Sequence, residues 1–248
     1  MSSSAWLRQV AALFSMPLLA IGVTLTNRPA HAETWTFHAS ASGKQTLDDT
    51  ESGGNPFAGA LIEILRQSQL MLPELAAALH RGTVTRSRGF QLPEVPYGAA
   101  VPNWRVLPPV PGERRIALVL VVSDYARSGG APSLPGAMQD ARRVAAAFTQ
   151  AGFTTNLSLD LELAAMRRRL SDFSIQSKDH DAAVIYTTGH GVEVGGKIFL
   201  LPGDYPTQER NAALEQRALG LSEITTSAQA RQVNLIFYAG CRDNPFGD

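Results

Sequence analysis

Cysteine is nearly absent from this 248-residue sequence, which contains only Cys241. A disulfide within the chain is therefore excluded, and the thiol is either a small buried apolar group or a reactive group. An excess of charge is also absent, because 22 basic residues balance 22 acidic ones. This balance excludes the strongly charged surfaces typical of proteins that bind nucleic acid or an anionic membrane.

Two kinds of ligand-binding motif are missing as well. The segment SDYARSGGAPSLPG, which follows the first predicted strand of the C-terminal part, lacks both G-x-G-x-x-G and the P-loop lysine. This absence disfavours a flavodoxin-like protein that binds a nucleotide or phosphate. The five histidines are scattered, without paired cysteines or an H-E-x-x-H motif, so we predict no metal site.

The N-terminus carries the one long apolar run. The run VAALFSMPLLAIGVTLT follows a short segment with one arginine and precedes the small residues of AHA at 30–32. This order predicts a signal peptide over residues 1–32 and export to the periplasm or out of the cell, with an uncleaved anchor as the alternative. Beyond it no segment is apolar and long enough to span a bilayer. A lone cysteine in an exported protein indicates an intermolecular or reactive thiol.

From residue 114 onward, runs of strand length alternate with helical patterns. Strands are predicted for RRIALVLVVS, TTNLSLD, DAAVIYTTG and RQVNLIFYAG. Helices are predicted for LPGAMQDARRVAAAFTQ, LELAAMRRRLSDFSIQ and ALGLSEITTSAQ, and a hairpin that turns at Gly195 and Gly196 for VEVGGKIFLL. The alternation predicts an α/β fold with a mostly parallel sheet and helices on both faces.

The preceding residues divide into two parts. In residues 33–95, ETWTFHASAS alternates like a strand, a helical segment breaks near Pro73, and RGFQLPEVP is a short extended end. This part is too small to hold a large core alone, so we expect it to complete the sheet of the C-terminal part. Residues 96–113 hold five prolines without periodicity, which predicts a surface linker rather than a core element.

Two reactive side chains follow predicted neighbouring strands. His190 comes after the third strand of the C-terminal part, and Cys241 comes after the fourth. Parallel strands end at one edge of a sheet about 5 Å apart, so the imidazole and the thiol would face each other. Such a pair suits nucleophilic attack through a thioester, with the N–H of Gly191 holding the oxyanion. A cysteine that only fills space is the alternative.

The same residues resemble those of caspase-like cysteine peptidases, the group that includes caspases, metacaspases and paracaspases. AVIYTTGHG resembles the histidine motif of this group, and LIFYAGCRDNPF resembles the cysteine motif of bacterial metacaspases. RIALVLVVSDY, LPGAMQDARRVAAAF and IFLLPGDY fall where the family has its first strand, first helix and post-histidine hairpin. The resemblance implies a caspase-like three-layer αβα sandwich. It also implies an endopeptidase of peptides or proteins with His190 as general base and Cys241 as nucleophile.

One departure concerns the residue before the cleaved bond. Metacaspases hold a basic side chain there with two aspartates, of which Asp140 matches the first, whereas Ala239 occupies the second position. The resemblance therefore implies a preference for Arg or Lys that is weaker than with two carboxylates. A solvated helix residue is the alternative for Asp140. Calcium dependence is frequent among metacaspases, but no acidic cluster marks a site, and we predict no required cofactor.

A second departure concerns the order of the parts. The family normally continues after its cysteine loop with further strands and a helix pair, and residues 35–95 resemble that portion from FHASASGKQ to RGFQLPEV. We therefore predict a circular permutation, with a small-subunit half at 33–95, a linker at 96–113 and a large-subunit half at 114–248. A truncated or decayed gene is the alternative. For function, the alternative is a catalytically inactive module that binds peptides or proteins.

Overall fold

A computed structural model describes residues 32–48, 54–98, 101–126 and 131–247. The predicted signal peptide, apart from Ala32, lies outside the described residues. Among the helices of the described ranges, none combines the length and the apolar character needed to cross a membrane. The elements in chain order are β1 (Thr34–His38), α1 (Pro56–Ile64), β2 (Leu70–Met71), α2 (Leu72–Arg86), β3 (Arg105–Leu107), β4 (Arg115–Val121), α3 (Pro135–Gln150), β5 (Thr154–Leu159), α4 (Leu163–Ser177), β6 (Ala182–Thr188), β7 (Gly191–Val194), β8 (Lys197–Leu200), a 3₁₀ helix (Thr207–Ala213), α5 (Leu214–Arg217), β9 (Leu219–Gly220), α6 (Leu221–Thr225) and β10 (Val233–Tyr238).

The central sheet has five strands in the order β1-β10-β6-β4-β5, and all four pairings are parallel. Every residue of β4, β6 and β10 is buried, which explains why most of their residues are apolar. The prediction of a mostly parallel sheet is confirmed. The hairpin of β7 and β8 turns where expected, since Gly195 and Gly196 have φ of +58° and +75°, values that favour glycine.

Helices cover both faces of this sheet. On one face α1, α2 and α3 pack on side chains such as Val119 and Val121 of β4. On the other face α4 and the β7–β8 hairpin pack on the alternate residues Leu118 and Leu120. Because successive residues of a strand point to opposite faces, one strand serves both cores. The α/β fold with three layers, helices–sheet–helices, is therefore as predicted.

The N-terminal segment shares this sheet and one of its cores. Phe37 of β1 lies opposite Phe237 of β10 in the parallel register, and their rings stack with centroids 4.7 Å apart. Phe57 of α1 and Phe148 of α3 pack against the same Phe237 ring, at 6.5 and 6.1 Å. Residues from before and after the proline-rich segment thus form one continuous apolar core.

The break expected in the helical part of this segment is present. Asn55 caps α1 by accepting the N–H of Phe57 at 2.8 Å, and Pro56 opens the helix. The second helix, α2, starts at Leu72 and carries Pro73 in its first turn. Proline is tolerated there because the N–H that it lacks has no partner within a first helical turn.

Residues 96–113 are more deeply packed than a surface linker. The strand β3 pairs with β2 in antiparallel fashion, and Val106 and Leu107 are buried in the core. Arg115, at the start of β4, holds this segment by an ion pair with Glu113 at 2.6 Å and a bond to the Val106 carbonyl at 2.6 Å. The expectation of a segment without core residues is wrong, because proline content predicts extended backbone but not its apolar contacts.

Candidate active site

The ends of β6 and β10 bring the two predicted catalytic residues together. These strands are neighbours, with Thr187 opposite Tyr238, and His190 and Cys241 each follow three residues later. Both residues line one cavity of about 370 Å³ at the carboxyl edge of the sheet. Their shared edge is the arrangement that the sequence predicts for a thiol beside an imidazole.

His190 is held by a backbone carbonyl and a buried tyrosine. Its Nε2 lies 2.7 Å from the Pro132 carbonyl oxygen, which can only accept a hydrogen bond, so Nε2 carries the proton and Nδ1 is the basic nitrogen. The Tyr125 ring packs edge-on against the imidazole at 4.4 Å. Its hydroxyl accepts the His190 N–H at 2.8 Å and donates to the Leu201 carbonyl at 2.9 Å. Burial raises the pKa of Tyr125, so the hydroxyl keeps the proton that it donates.

Cys241 lies beside the loop that follows β1. Its Sγ, in a partly exposed residue, accepts the Thr46 N–H at 3.3 Å and lies 3.4 Å from Thr46 Oγ1. The backbone of the next residue pairs with the same loop, since Arg242 N donates to Lys44 O and Gly43 N donates to Arg242 O, each at 2.9 Å. The N-terminal segment therefore contacts the thiol directly.

Gly191 allows β7 to approach the Cys241 loop closely. A Cβ at this position would overlap Tyr238 Oη and the Cys241 carbonyl oxygen, so only glycine fits. Two residues on, the Glu193 N–H donates to the Asp243 carbonyl at 3.1 Å. Because alternate N–H groups of a strand point to the same edge, the Gly191 N–H also faces the Cys241 loop. The role of Gly191 as oxyanion donor stays a prediction.

Asp140 lies in α3 with its side chain fully buried, and it does not line the cavity beside His190. The carboxylate accepts the Asn55 N–H at 2.6 Å and a bond from Arg143 at 3.3 Å. Burial raises the pKa of Asp140 to about 7, partly offset by the Asn55 bond. The alternative interpretation of Asp140 as a solvated helix residue is therefore wrong. The role of Asp140 in substrate binding stays a prediction.

A second carboxylate lies near Asp140, although not at the position that sequence comparison indicates. Ala239 is buried there, whereas Asp48, from the loop after β1, accepts the Gly136 N–H at 3.1 Å at the start of α3. Burial raises the pKa of Tyr186, as do the nearby charges of Asp140 and Asp48. In the described part of the chain, the buried Tyr186 hydroxyl has no hydrogen-bond partner. We call Asp48 and Asp140 the acidic pair.

Arg242 joins three segments around Cys241. Its guanidinium forms ion pairs with Glu193 of β7 at 2.8 Å and with Glu94 of the N-terminal segment, and donates to the Ser40 carbonyl at 3.2 Å. The side chain is only 9% exposed. The sequence analysis did not predict that Arg242 links these segments, although its position directly after Cys241 could have indicated a role at the site.

A metal ion would need a cluster of side chains that could hold it. Across residues 32–48, 54–98, 101–126 and 131–247, no group of three or more His, Cys, Asp and Glu side chains is placed to hold one. The expectation that no cofactor, including calcium, is required stays a prediction. We derive no step of the chemistry from calcium.

The fold and the site define an α/β protein with a histidine and a cysteine at the ends of adjacent parallel strands. The family model of the caspase domain matches residues 114–246, more than half of the chain. The chain therefore belongs to the caspase family of cysteine peptidases, whose substrates are peptides or proteins. A comparison with curated proteins found no match.

Proposed function

We propose that the chain is a cysteine endopeptidase in which Cys241 is the nucleophile and His190 is the general base. The cavity lined by both side chains at adjacent strand ends is the observation that carries this proposal. The bond from His190 Nε2–H to the Pro132 carbonyl supports it, because it leaves Nδ1 free to accept a proton.

The proposed reaction has two stages. The proton of the Cys241 thiol passes to His190, and the sulfur attacks the carbonyl carbon of the peptide bond. The N–H of Gly191 stabilises the resulting oxyanion, the C–N bond breaks, and His190 gives its proton to the leaving amine. Water, deprotonated by His190, then attacks the thioester, and the C–S bond breaks to release the acid and restore the thiol.

We propose that the acidic pair favours Arg or Lys before the cleaved bond. The buried Asp140 carboxylate holds its charge at a cost, which a cationic side chain would offset. Asp48, which belongs to the N-terminal segment, would supply the second negative charge that metacaspases have at the position of Ala239.

The preference is expected to depend on pH. Asp140 is charged above a pKa of about 7 and neutral below it, so an Arg peptide should be favoured over a matched Gln peptide mainly above pH 7. We expect the Arg:Gln ratio of kcat/KM to reach about tenfold at high pH and to fall as the pH decreases through about 7. Fluorogenic peptides assayed at about pH 5.5 to 8.5 measure it.

Three variants control this experiment. Asp140→Asn should give a small ratio that no longer changes with pH, whereas Asp172→Asn, an exposed carboxylate on α4, should behave as wild type. Cys241→Ala provides the blank. If wild type cleaves the peptides but its Arg:Gln ratio of kcat/KM does not change with pH, the proposed role of Asp140 in binding the basic side chain is contradicted. If wild type cleaves no peptide, the inactive peptide-binding module is favoured.

We also propose that residues 33–95 are the small-subunit half of the domain, permuted to the N-terminus. The support is threefold: β1 extends the sheet beside β10, Thr46 bonds the Cys241 thiol, and Glu94 pairs with Arg242. A remnant of a decayed gene would not be needed for the stability of the catalytic half. A permuted half should unfold together with the catalytic half in one cooperative transition, so the cooperativity of unfolding distinguishes the two accounts.

A further inference from the structure

The two sides of the site lie over opposite faces of the sheet. Tyr186 and Ala239, near the acidic pair, belong to the core that contains α3. Val192 and Leu201, which line the cavity beside His190, belong to the core of the opposite face. A peptide bond held at Cys241 would therefore have one flanking residue on each side of the sheet edge.

The cavity beside His190 suits an apolar side chain. Its polar lining consists of Gln45, Thr207 and Asp243 together with the catalytic pair, and Gln45 Nε2 donates to Asp243 Oδ2 at 2.7 Å. The carboxylate is thus partnered, which reduces its demand for a cationic ligand. The apolar walls are Ala131, Pro132, Val192, Leu201, Pro245 and Phe246.

The position of His190 shows which part of a substrate enters this cavity. A histidine that protonates the leaving amine must lie on the side where that amine departs. His190 lines the cavity, and its Nε2 bonds to Pro132 in the cavity wall. The leaving group therefore departs toward the cavity, while the acyl part extends toward the acidic pair.

We propose that this cavity is a leaving-group subsite, which binds the residue directly after the cleaved bond and selects an aliphatic or aromatic side chain. The inference rests on the proposed peptidase function and adds the specificity of the leaving side. Phe246 is the selecting residue, because its ring forms one wall and is supported by stacking on Tyr205, with centroids 6.2 Å apart. Asp243 at the same cavity opposes an acidic side chain.

Internally quenched peptides test the subsite in turnover. With Arg before the bond, and Leu, Gly or Asp after it, we expect kcat/KM for Leu to exceed that for Gly by about tenfold, with Asp lowest. Phe246→Ala should bring the Leu:Gly ratio close to one, and Thr207→Phe, which narrows the cavity, should shift the preference to Gly. The matched control is Phe90→Ala, because Phe90 is exposed and lies outside the cavity.

Two further measurements separate the subsite from the peptidase function. A peptide aldehyde that ends at Arg occupies only the acyl side, so its inhibition constant should not change in Phe246→Ala. In Cys241→Ala, calorimetric titration with the uncleaved peptides should show tighter binding of the Leu peptide. If wild type cleaves nothing but this binding preference persists, the peptidase proposal fails and the subsite stands. The subsite proposal would be overturned by equal binding and turnover of the Leu and Gly peptides, or by a Leu:Gly ratio of kcat/KM that Phe246→Ala leaves unchanged.

Discussion

Arg242→Met is expected to lower the free energy of unfolding by about 3–5 kcal/mol, the range observed when one partner of a buried ion pair is removed. Glu193, whose side chain is 13% exposed, would keep a charge with its guanidinium partner gone, and the Ser40 carbonyl would lose a donor. Glu94 is half-exposed and adds less. Urea unfolding measures the change. Because Arg242 connects the N-terminal segment to the catalytic half, we expect one cooperative transition that shifts as a whole.

Two control variants are needed to interpret the effect of Arg242→Met. Arg231→Met removes an ion pair with Asp181 in which the Arg231 side chain is 52% exposed, and it should cost less than about 1 kcal/mol. Adding Glu193→Gln to Arg242→Met removes the stranded charge and should recover at least about 1 kcal/mol. If residues 33–95 unfold separately from the catalytic half, the segment is a remnant and the permutation proposal is wrong. A cost of Arg242→Met no larger than that of Arg231→Met would mean that Arg242 does not stabilise the fold as expected.

Arg115→Met should destabilise the protein by a similar amount, about 3–5 kcal/mol. The Arg115 side chain is fully buried between a salt bridge to Glu113, bonds to the carbonyls of Arg105 and Val106, and the face of Trp104 at 4.5 Å. Methionine fills part of the space but leaves the Glu113 carboxylate, 5% exposed, without its cation. Urea unfolding measures the loss, and limited trypsin digestion should detect release of β3 by faster cleavage after Arg105.

The neighbouring Arg114 supplies the control for this substitution. Arg114 is exposed, so Arg114→Met should leave the free energy of unfolding within about 0.5 kcal/mol of wild type. The double variant Arg115→Met with Glu113→Gln should be more stable than Arg115→Met alone. Equal stability of the Arg114 and Arg115 variants would mean that the proline-rich segment does not depend on this contact.

The sheet was largely predictable because its central strands are buried on both faces. A strand with helices on each side favours apolar residues on both faces, and β4, β6 and β10 are mostly apolar for that reason. The catalytic candidates followed directly, since His190 lies two residues beyond β6 and Cys241 three residues beyond β10. Local pattern and parallel topology together were sufficient for this part of the site.

Contacts between distant segments could not be predicted in this way. Arg115 carries a charge, and charge predicts exposure, yet its partners Glu113, Arg105 and Val106 make it a buried anchor of the proline-rich segment. Asp48 lies in a polar loop of the N-terminal segment and meets α3 only through the tertiary fold. The Pro132 carbonyl, which fixes the protonation of His190, is a backbone group that no residue type reveals.

Covalent labelling of the thiol tests the central claim, that Cys241 is a nucleophile activated by His190, most directly. The chain has a single cysteine, so any thioether adduct seen in the intact mass must lie at Cys241. A peptide acyloxymethyl ketone that ends in Arg should add once to the folded wild type, as sulfur displaces the carboxylate leaving group. We expect no adduct on Cys241→Ala and slower labelling of His190→Ala, because the thiol loses its base. No adduct on the folded wild type, or labelling that is equally fast without His190, would contradict the account.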